Sequence, residues 1–332
     1  LVIVATSTSE HIFPSTASQV QDWLGASRAG ALDVSAACAG FVYALDMAAA
    51  KIRAGDIDTA LVIGAETMSR VLNWSDRGTC ILFGDGAGAV LLVGSNNPGG
   101  VLSSVLRSDG SGGHVLGLPT VGSRDSLQQE HREREVGYST RPIRRMHRLH
   151  MNGREVFRFA TRVITESIRE TLKLANLETD ELDLVIPHQA NYRIIEAAAR
   201  ALKIPLERFY SNVDRYGNTS AASIPIALCE AIAEGRLQQG DHLVMCGFGG
   251  GLAWATIAIQ WETIPVERYS RLMAARQQVT YWYAVQRRRI VRLWRRWSNR
   301  LGRSPTPDAT MRQLRKRLKE RDIEHQKGDE DT

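Results

Sequence analysis

The sequence predicts an α/β protein made of two similar halves, in which layers of sheet and helix pack together. Three observations carry this. Apolar strands alternate with helix-periodic segments through residues 1–261. "LVIVATS" at Leu1 is matched by "LDLVIPHQAN" at Leu182, and "DTALVIGAE" at Asp58 by "DHLVMCGFGGG" at Asp241. The spacing agrees as well: Val4 stands as far ahead of Cys38 as Val185 does of Thr219, and the onward steps from these to Val62 and Val244 are nearly equal.

Taken in order, "LVIVATS" is the middle of a buried strand with no turn or helix ahead of it, so further elements before Leu1 are expected. Leu32 and Val34 alternate like a short strand and lead into "DVSAACAGF" at positions 33–41. Phe41, Leu45, Ala48, Ala49 and Ile52 then follow helical spacing, and Gly55 supplies a stop, which puts Cys38 at or near a helix N-terminus. Ala36, Ala37, Ala39 and Gly40 leave that turn almost bare of side chains, so a bulky group can approach the sulfur. The unpaired N–H groups of a helix N-terminus favour thiolate over thiol and can hold an oxyanion. Cysteine is also a small core residue, the reading that suits Cys80, Cys229 and Cys246. "FGDGAG" at position 83 lacks the full spacing of a dinucleotide loop.

In the second half a long helical segment, "GREVFRFATRVITESIRETLKLANL", precedes the strand that carries "PHQAN". Its counterpart in the first half would lie before Leu1. "GNTSAAS" at 217–223 opens a helix in the place that Cys38 holds in the first half. His188 follows a strand end, where open α/β sheets carry catalytic residues. A histidine there also serves as a plain structural residue, and Asn218 as a turn or helix cap. The glycines of "GFGGGLAW" either shape a tight turn or let backbone N–H groups approach a substrate with no Cβ in the way. Cys38, His188 and Asn218 are therefore the candidate constellation.

Composition narrows the rest. The 332 residues are 43% hydrophobic and 23% charged, enough for one large core or two domains. Four cysteines without close spacing build neither a disulfide framework nor a metal pattern, and the histidines show no HxxxH or HExxH; no metal and a reducing, cytoplasmic setting are expected. No apolar run reaches membrane-spanning length, and no signal peptide is expected. The net charge of +6 is unevenly divided: residues 262–332 hold 18 Lys and Arg against 9 Asp and Glu, and residues 1–261 hold 24 against 27. The texture changes there too, to "YWYAVQRRRIVRLWRRWSNRL", a Pro-containing linker and a second charged run, so a boundary is placed near Trp261.

Six stretches, "DVSAACAGFVYAL", "DRGTCILFGDGAGAVLL", "MNGREVF", "PHQANYRII", "RYGNTSAASIP" and "GFGGGLAWATIAIQW", closely resemble β-ketoacyl-acyl-carrier-protein synthase III, the condensing enzymes that start bacterial fatty acid synthesis. The resemblance implies a thiolase-like fold, with duplicated half-domains in a five-layered αβαβα core, and a homodimer. It implies a catalytic triad of Cys38, His188 and Asn218, with the N–H groups of Cys38 and Gly250 holding the oxyanion. The implied substrates are acetyl-CoA and malonyl-acyl carrier protein, with no cofactor beside them. Arg77, Gly153 and Asn191 match CoA-binding positions, and Arg158, Arg193 and Arg200 match a patch that meets the acidic carrier protein, or form an ordinary solvated helix face. Phe13, in the stretch "HIFPSTASQ" ahead of Cys38, matches the residue that closes the partner's acyl pocket, or is interface packing alone.

The implied organisation is an N-terminal half at 1–95, a connecting region with a charged insertion at 96–150, a C-terminal half at 151–261, and a basic extension at 262–332. Three departures from the family stand out. About 70 residues, roughly half a typical domain, precede the equivalent of Leu1 in the family, including a Trp that clamps the CoA adenine. Positions 123–148 are longer and more charged than the family's loop, and everything from Glu262 onward is extra. In that extension Ile290, Trp294 and Trp297 fall on one helical stripe among arginines, suited to an anionic membrane surface, an acidic partner or non-specific nucleic acid, or to a solvated appendage. Two other functions stay open: a thiolase-fold acyltransferase of secondary metabolism with another acceptor, and a truncated, non-catalytic relative acting through its basic tail.

Overall fold

The computed structural model describes residues 1–119 and 148–263, together with Gln286, Ile290 and Trp297. The chain divides into two compact units, Leu1–Pro265 and Val266–Thr332. In the second unit the three described residues are helical, and Ile290 and Trp297 are exposed. Trp294, most of the charged insertion and the rest of the basic extension lie outside the described residues.

The first unit holds two four-stranded sheets. Strands β1 (Val2–Ala5), β2 (Ala31–Val34), β3 (Thr59–Thr67) and β4 (Asp85–Val93) form the first, in the order β2-β1-β3-β4. β1 runs parallel to both neighbours and is buried along its whole length, as its unbroken apolar run requires; β4 returns antiparallel to β3. The second sheet joins β5 (Gly100–Ser108), β8 (Leu184–Pro187), β9 (His242–Gly249) and β10 (Ala253–Gln260) in the order β5-β10-β9-β8. A short ribbon of β6 (Leu116–Gly117) and β7 (His150–Met151) pairs the two ends of the chain that flank the charged insertion.

Among the described residues, five helices of eight residues or more complete the layers. α1 (Thr16–Trp23) covers the outer face of the first sheet. α2 (Gly40–Arg53) and α5 (Ser223–Ala233) lie between the sheets and touch strands of both. α3 (Gly153–Ala175) and α4 (Tyr192–Leu202) cover the second sheet from outside. The result is the αβαβα order that the resemblance implies. Position explains composition: α3 buries one stripe, with Ala160, Val163, Ile164, Ile168 and Leu172 inside, whereas α2 also buries Gly40, Val42, Ala44 and Ala48 because sheet lies on both sides of it.

The repeat is visible in three dimensions, with a correction to its register. Ala37–Ala39 and Ser220–Ala222 form equivalent 3-10 turns that run straight into α2 and α5, and Ala37 and Ser220 both have left-handed backbone, with φ of 46° and 52°. The counterpart of Cys38 is thus Ala221 rather than Thr219. Spacing between short strands cannot place a turn to better than a residue or two when the intervening loops differ. The halves also differ at both edges among the described residues: β10 is flanked by β5 while no strand pairs with the far edge of β4, and β1 is flanked by β2 while β8 has only a bridge from Val185 to Phe209.

The centre of the sandwich should be where truncation is felt most. Phe41, on α2, is fully buried. Phe41→Ala should lower the stability of the full chain by about 3–5 kcal/mol in denaturant titrations, against about 0.5 kcal/mol or less for the exposed Ile12→Ala.

Candidate active site

The two 3-10 turns meet at the middle of the first unit, and Cys38 lies in the first of them. β9 presses on that turn closely enough to explain its glycines. A Cβ on Gly249 would lie 2.8 Å from the Cys38 nitrogen and 3.0 Å from its Cβ, and one on Gly247 would lie 2.8 Å from the Ala39 Cα. Cys38 is 6% exposed. Burial pushes its thiol up to about 12, from an ordinary value of 9.0; the Glu66 carboxylate pushes the same way, against a hydrogen bond from the Ser220 side chain.

This corrects the expectation of a resting thiolate. A helix N-terminus favours an anion by about 0.3–1 kcal/mol at exposed sites and up to about 2 in buried ones, whereas the rise to about 12 corresponds to about 4 kcal/mol. Cys38 rests as a thiol and needs a proton acceptor.

His188 follows β8 and shares a cavity with Cys38. Its backbone N–H donates to the Cys246 carbonyl at 2.7 Å, and its ring stands edge-on to Phe248 with centroids 5.0 Å apart. The imidazole is 2% exposed, and its Nδ1 has no hydrogen-bond partner among the described residues. Burial lowers it from 6.5 to about 3, so it is neutral at physiological pH and can accept at one nitrogen while donating from the other.

Asn218 is held by its backbone and by its side chain. Its N–H donates to the Leu82 carbonyl at 2.8 Å, and its own carbonyl accepts from Gly84 N–H at 2.9 Å. A Cβ on Gly84 would meet the Tyr216 oxygen at 2.3 Å, so the glycine of "FGDGAG" serves this approach as the chain enters β4. The side-chain Oδ1 accepts from Ser220 N–H at 2.8 Å, which fixes the amide's orientation and leaves its NH2 as the free donor.

Cys38, His188 and Asn218 all line one cavity, whose other walls are mainly apolar: Phe83, Leu116, Val156, Phe157, Phe248 and Leu252 among them. Gly153, at the start of α3, and Asn191, the cap of α4, line it too, with Asn191 Oδ1 engaged by Arg193 N–H at 2.9 Å. Other expected residues lie elsewhere. Gly249, not Gly250, lines the cavity; a Cβ on Gly250 would face the Leu116 carbonyl at 3.0 Å. Arg77 is exposed and does not line it, and Phe13, 86% exposed, does not reach it within its own chain. Arg158, Arg193 and Arg200 are exposed on the neighbouring helices α3 and α4, and Arg158 and Arg193 directly adjoin the lining residues Phe157 and Ile194. Sequence reasoning missed Glu66 and Ser220. A charged residue inside the apolar strand "TALVIGAET" was the available signal.

The buried imidazole has a stability consequence. Its folded value lies below the unfolded one, so between pH 6.5 and about 3 the unfolded chain binds the extra proton and stability falls as pH falls. In His188→Phe the pH slope of unfolding free energy over that window should be shallower by about 1.4 kcal/mol per pH unit, measured by denaturant titration.

Profiles of known families match both halves: 3-oxoacyl-[acyl-carrier-protein (ACP)] synthase III over residues 32–110, and the C-terminal region of the same family over residues 172–261. Beta-ketoacyl-[acyl-carrier-protein] synthase III of Clostridium perfringens (strain SM101 / Type A) is 49% identical over 263 residues, 78% of this chain and 77% of that protein. The protein of the same name from Roseiflexus sp. (strain RS-1) is 46% identical over 260 residues, 78% and 76% of the two chains. Among solved structures, β-ketoacyl-[acyl carrier protein] synthase III from Thermus thermophilus superposes with a TM-score of 0.70 at 44% identity, covering 79% of this chain and 77% of that one. The priming β-ketosynthase of the R1128 polyketide pathway gives 0.70 at 35% identity, with 80% and 75% covered. Matched in both halves, in its layers and by two relatives over about three quarters of their length, the chain belongs to the β-ketoacyl-[acyl-carrier-protein] synthase III family.

Proposed function

We propose that the chain is an acyltransferase that starts fatty acid synthesis, condensing acetyl-CoA with malonyl-acyl carrier protein through an acetyl-Cys38 intermediate. The observation that carries this is a single, mainly apolar cavity holding a buried thiol, a neutral imidazole and an amide whose oxygen is already engaged.

In the first half-reaction Cys38 gives its proton to the neutral His188 as its sulfur attacks the acetyl carbonyl. The tetrahedral adduct collapses, the bond to the CoA sulfur breaks, and CoA leaves with the proton returned by His188. The N–H groups of Cys38 and Gly250 are the proposed oxyanion donors, and the close seat of Gly249 against Cys38 supports a backbone role for this glycine run. In the second half-reaction malonyl-acyl carrier protein loses carbon dioxide, and the electron pair of the broken C–C bond passes to the thioester as an enolate. His188 N–H and Asn218 NH2 donate to the enolate oxygen. The enolate carbon attacks acetyl-Cys38, and the C–S bond breaks to release the thiolate, which takes a proton from solvent as acetoacetyl-acyl carrier protein leaves. An acid at position 218 would repel the enolate that an amide stabilises.

Gly153 and Asn191 are proposed to meet the pantetheine arm and Arg77 the CoA nucleotide. Arg158, Arg193 and Arg200 are proposed to receive the acidic carrier protein beside the cavity. The proposed assembly is a cytoplasmic homodimer in which Phe13 closes the partner's acyl pocket; among the described residues no helix is long and apolar enough to cross a membrane. CoA thioester and carrier protein are substrates, so no cofactor is called for. The basic segment 262–332 is proposed to contact an anionic surface or acidic partner. The likeness to a polyketide priming enzyme supports the second reading, the same acyl-cysteine chemistry with an acceptor from secondary metabolism.

Intact-mass measurement of the full chain with acetyl-CoA should find one acetyl group, absent from Cys38→Ala. Asn218→Asp should still acetylate while malonyl-thioester decarboxylation falls by about 10²–10³-fold, the usual loss for one such donor. Acetyl on Cys38→Ala would overturn the assignment.

Phe13→Ala, if the assembly holds, should raise turnover with six- to eight-carbon primers relative to acetyl-CoA. The change should be graded, since a methylene in an apolar pocket is worth about 1–3 kcal/mol. An unchanged primer profile in the assembled variant removes Phe13 from the pocket.

A further inference from the structure

Glu66, near the end of β3, is a buried carboxyl that the reaction above does not use. It is 3% exposed, and none of the ion pairs among the described residues includes it. Hydroxyl and backbone donors surround it instead. Ser7 N–H reaches both oxygens at 3.1 Å, Thr8 Oγ1 donates at 2.6 Å and Thr6 Oγ1 at 3.4 Å. These three would tie the loop after β1 to β3, which is a purely local task. Other donors are not local: Ser220 Oγ, 154 residues away in the other half of the chain, donates to Glu66 Oε1 at 3.0 Å, and the Ala221 backbone beside it also favours the carboxylate.

Ser220 touches both candidate reacting groups. Its N–H donates to Asn218 Oδ1 at 2.8 Å, and its turn packs against the Cys38 turn, where its hydroxyl favours thiolate when it donates to the sulfur. A hydroxyl has one proton to give, so the Ser220 proton that goes to Glu66 is withheld from the Cys38 sulfur, where it would favour thiolate. Its backbone is left-handed, φ 52°, a conformation that a non-glycine residue keeps only where its surroundings hold it. The bond to Glu66 is such a restraint. Gly64, two residues before Glu66, is another, since a Cβ there would fall 2.2 Å from the Ala221 carbonyl oxygen.

We propose that Glu66 is a positioning residue for the acyl-transfer site, acting through Ser220 to present the Asn218 amide to the cavity and to keep Cys38 a thiol until substrate arrives. The second task follows from hydrogen bonding: although burial raises Glu66, the donors of Ser7, Thr8 and Ser220 hold it as an acceptor, and as one it draws the Ser220 proton away from the sulfur. The titratable groups facing Cys38 among the described residues are Glu66 and the neutral His188. Asp33 on β2 is taken up by the N–H groups of Thr16 and Ala17, and Cys246 on β9 is bonded by Thr256. The Asn218 part rests on the condensing-enzyme reading; the Cys38 part does not.

The test uses the full chain and two variants, Glu66→Gln and Ser220→Ala, with thermal unfolding as a check on folding. The first readout is the pH dependence of iodoacetamide alkylation at Cys38, followed by peptide mass spectrometry and independent of any acyl chemistry. Glu66→Gln supplies an amide N–H to Ser220 Oγ and frees the hydroxyl proton for the sulfur, so its midpoint should fall by about one pH unit. A midpoint unchanged or raised overturns the proposal. The second readout separates the half-reactions. Ser220→Ala should lower malonyl-thioester decarboxylation about tenfold at unchanged KM, a larger loss than it shows in acetylation of Cys38. Equal losses in both half-reactions, or none in decarboxylation, overturn it. If Glu66→Gln does not fold, Ser220→Ala decides; if the unaltered chain does not decarboxylate, the condensing reading fails and the alkylation profile decides for Glu66.

Discussion

The structure depends on how closely backbone approaches backbone at the junction of the two halves. The turns that open α2 and α5 are wedged between two sheets, and at each contact a side chain would overlap main chain: Gly249 and Gly247 against the Cys38 turn, Gly64 against the Ser220 turn. That constraint answers why a cysteine stands among so many alanines and glycines. Bulk in the turn or on β9 would part the layers, and the cavity that brings Cys38, His188 and Asn218 together exists only while they stay closed.

Close packing also sets the electrostatics of the site. Exclusion of water raises the thiol and lowers the imidazole, so both rest uncharged, although the same two groups in water would differ by less and ionise more readily. A pair of neutral groups can move one proton between them at the moment of attack without an ion having been stored in an apolar cavity beforehand. In the proposed second half-reaction the amide at position 218 would extend this logic, with charge on the substrate met by donors that carry none.

Much of this was legible in the chain. Alternation of strand and helix, the internal repeat and the helical spacing after Cys38 were enough for two layered halves with the cysteine at a helix opening, because these patterns are set by local periodicity and by burial. What local pattern cannot carry is which turn residue meets which, and there the reading slipped: Cys38 pairs with Ala221, and helix position alone suggested a thiolate that burial overrules. Glu66 was missed for the same reason. Its partners come from Ser7, Thr8 and Ser220, one of them 154 residues away, and no periodicity joins them. Gly153 and Asn191 came from resemblance, and both stand on the cavity; Arg77 came from the same source and stands outside it.

The two left-handed residues join the fold to its chemistry. Ala37 and Ser220 occupy equivalent places in the repeat, each opening a 3-10 turn, and each holds a conformation that disfavours a Cβ by about 1–2 kcal/mol. Glycine would relieve both. It would also return to each turn the freedom that the cavity cannot tolerate, since the Cys38 sulfur and the Asn218 amide are aimed by these same few backbone torsions. Strain at two symmetry-related points, one in each half, is sustained by the packing of β9 on the first and by Glu66 on the second. The duplicated fold therefore places the same strained device on both sides of one cavity, where the first half sets a thiol and the second an amide.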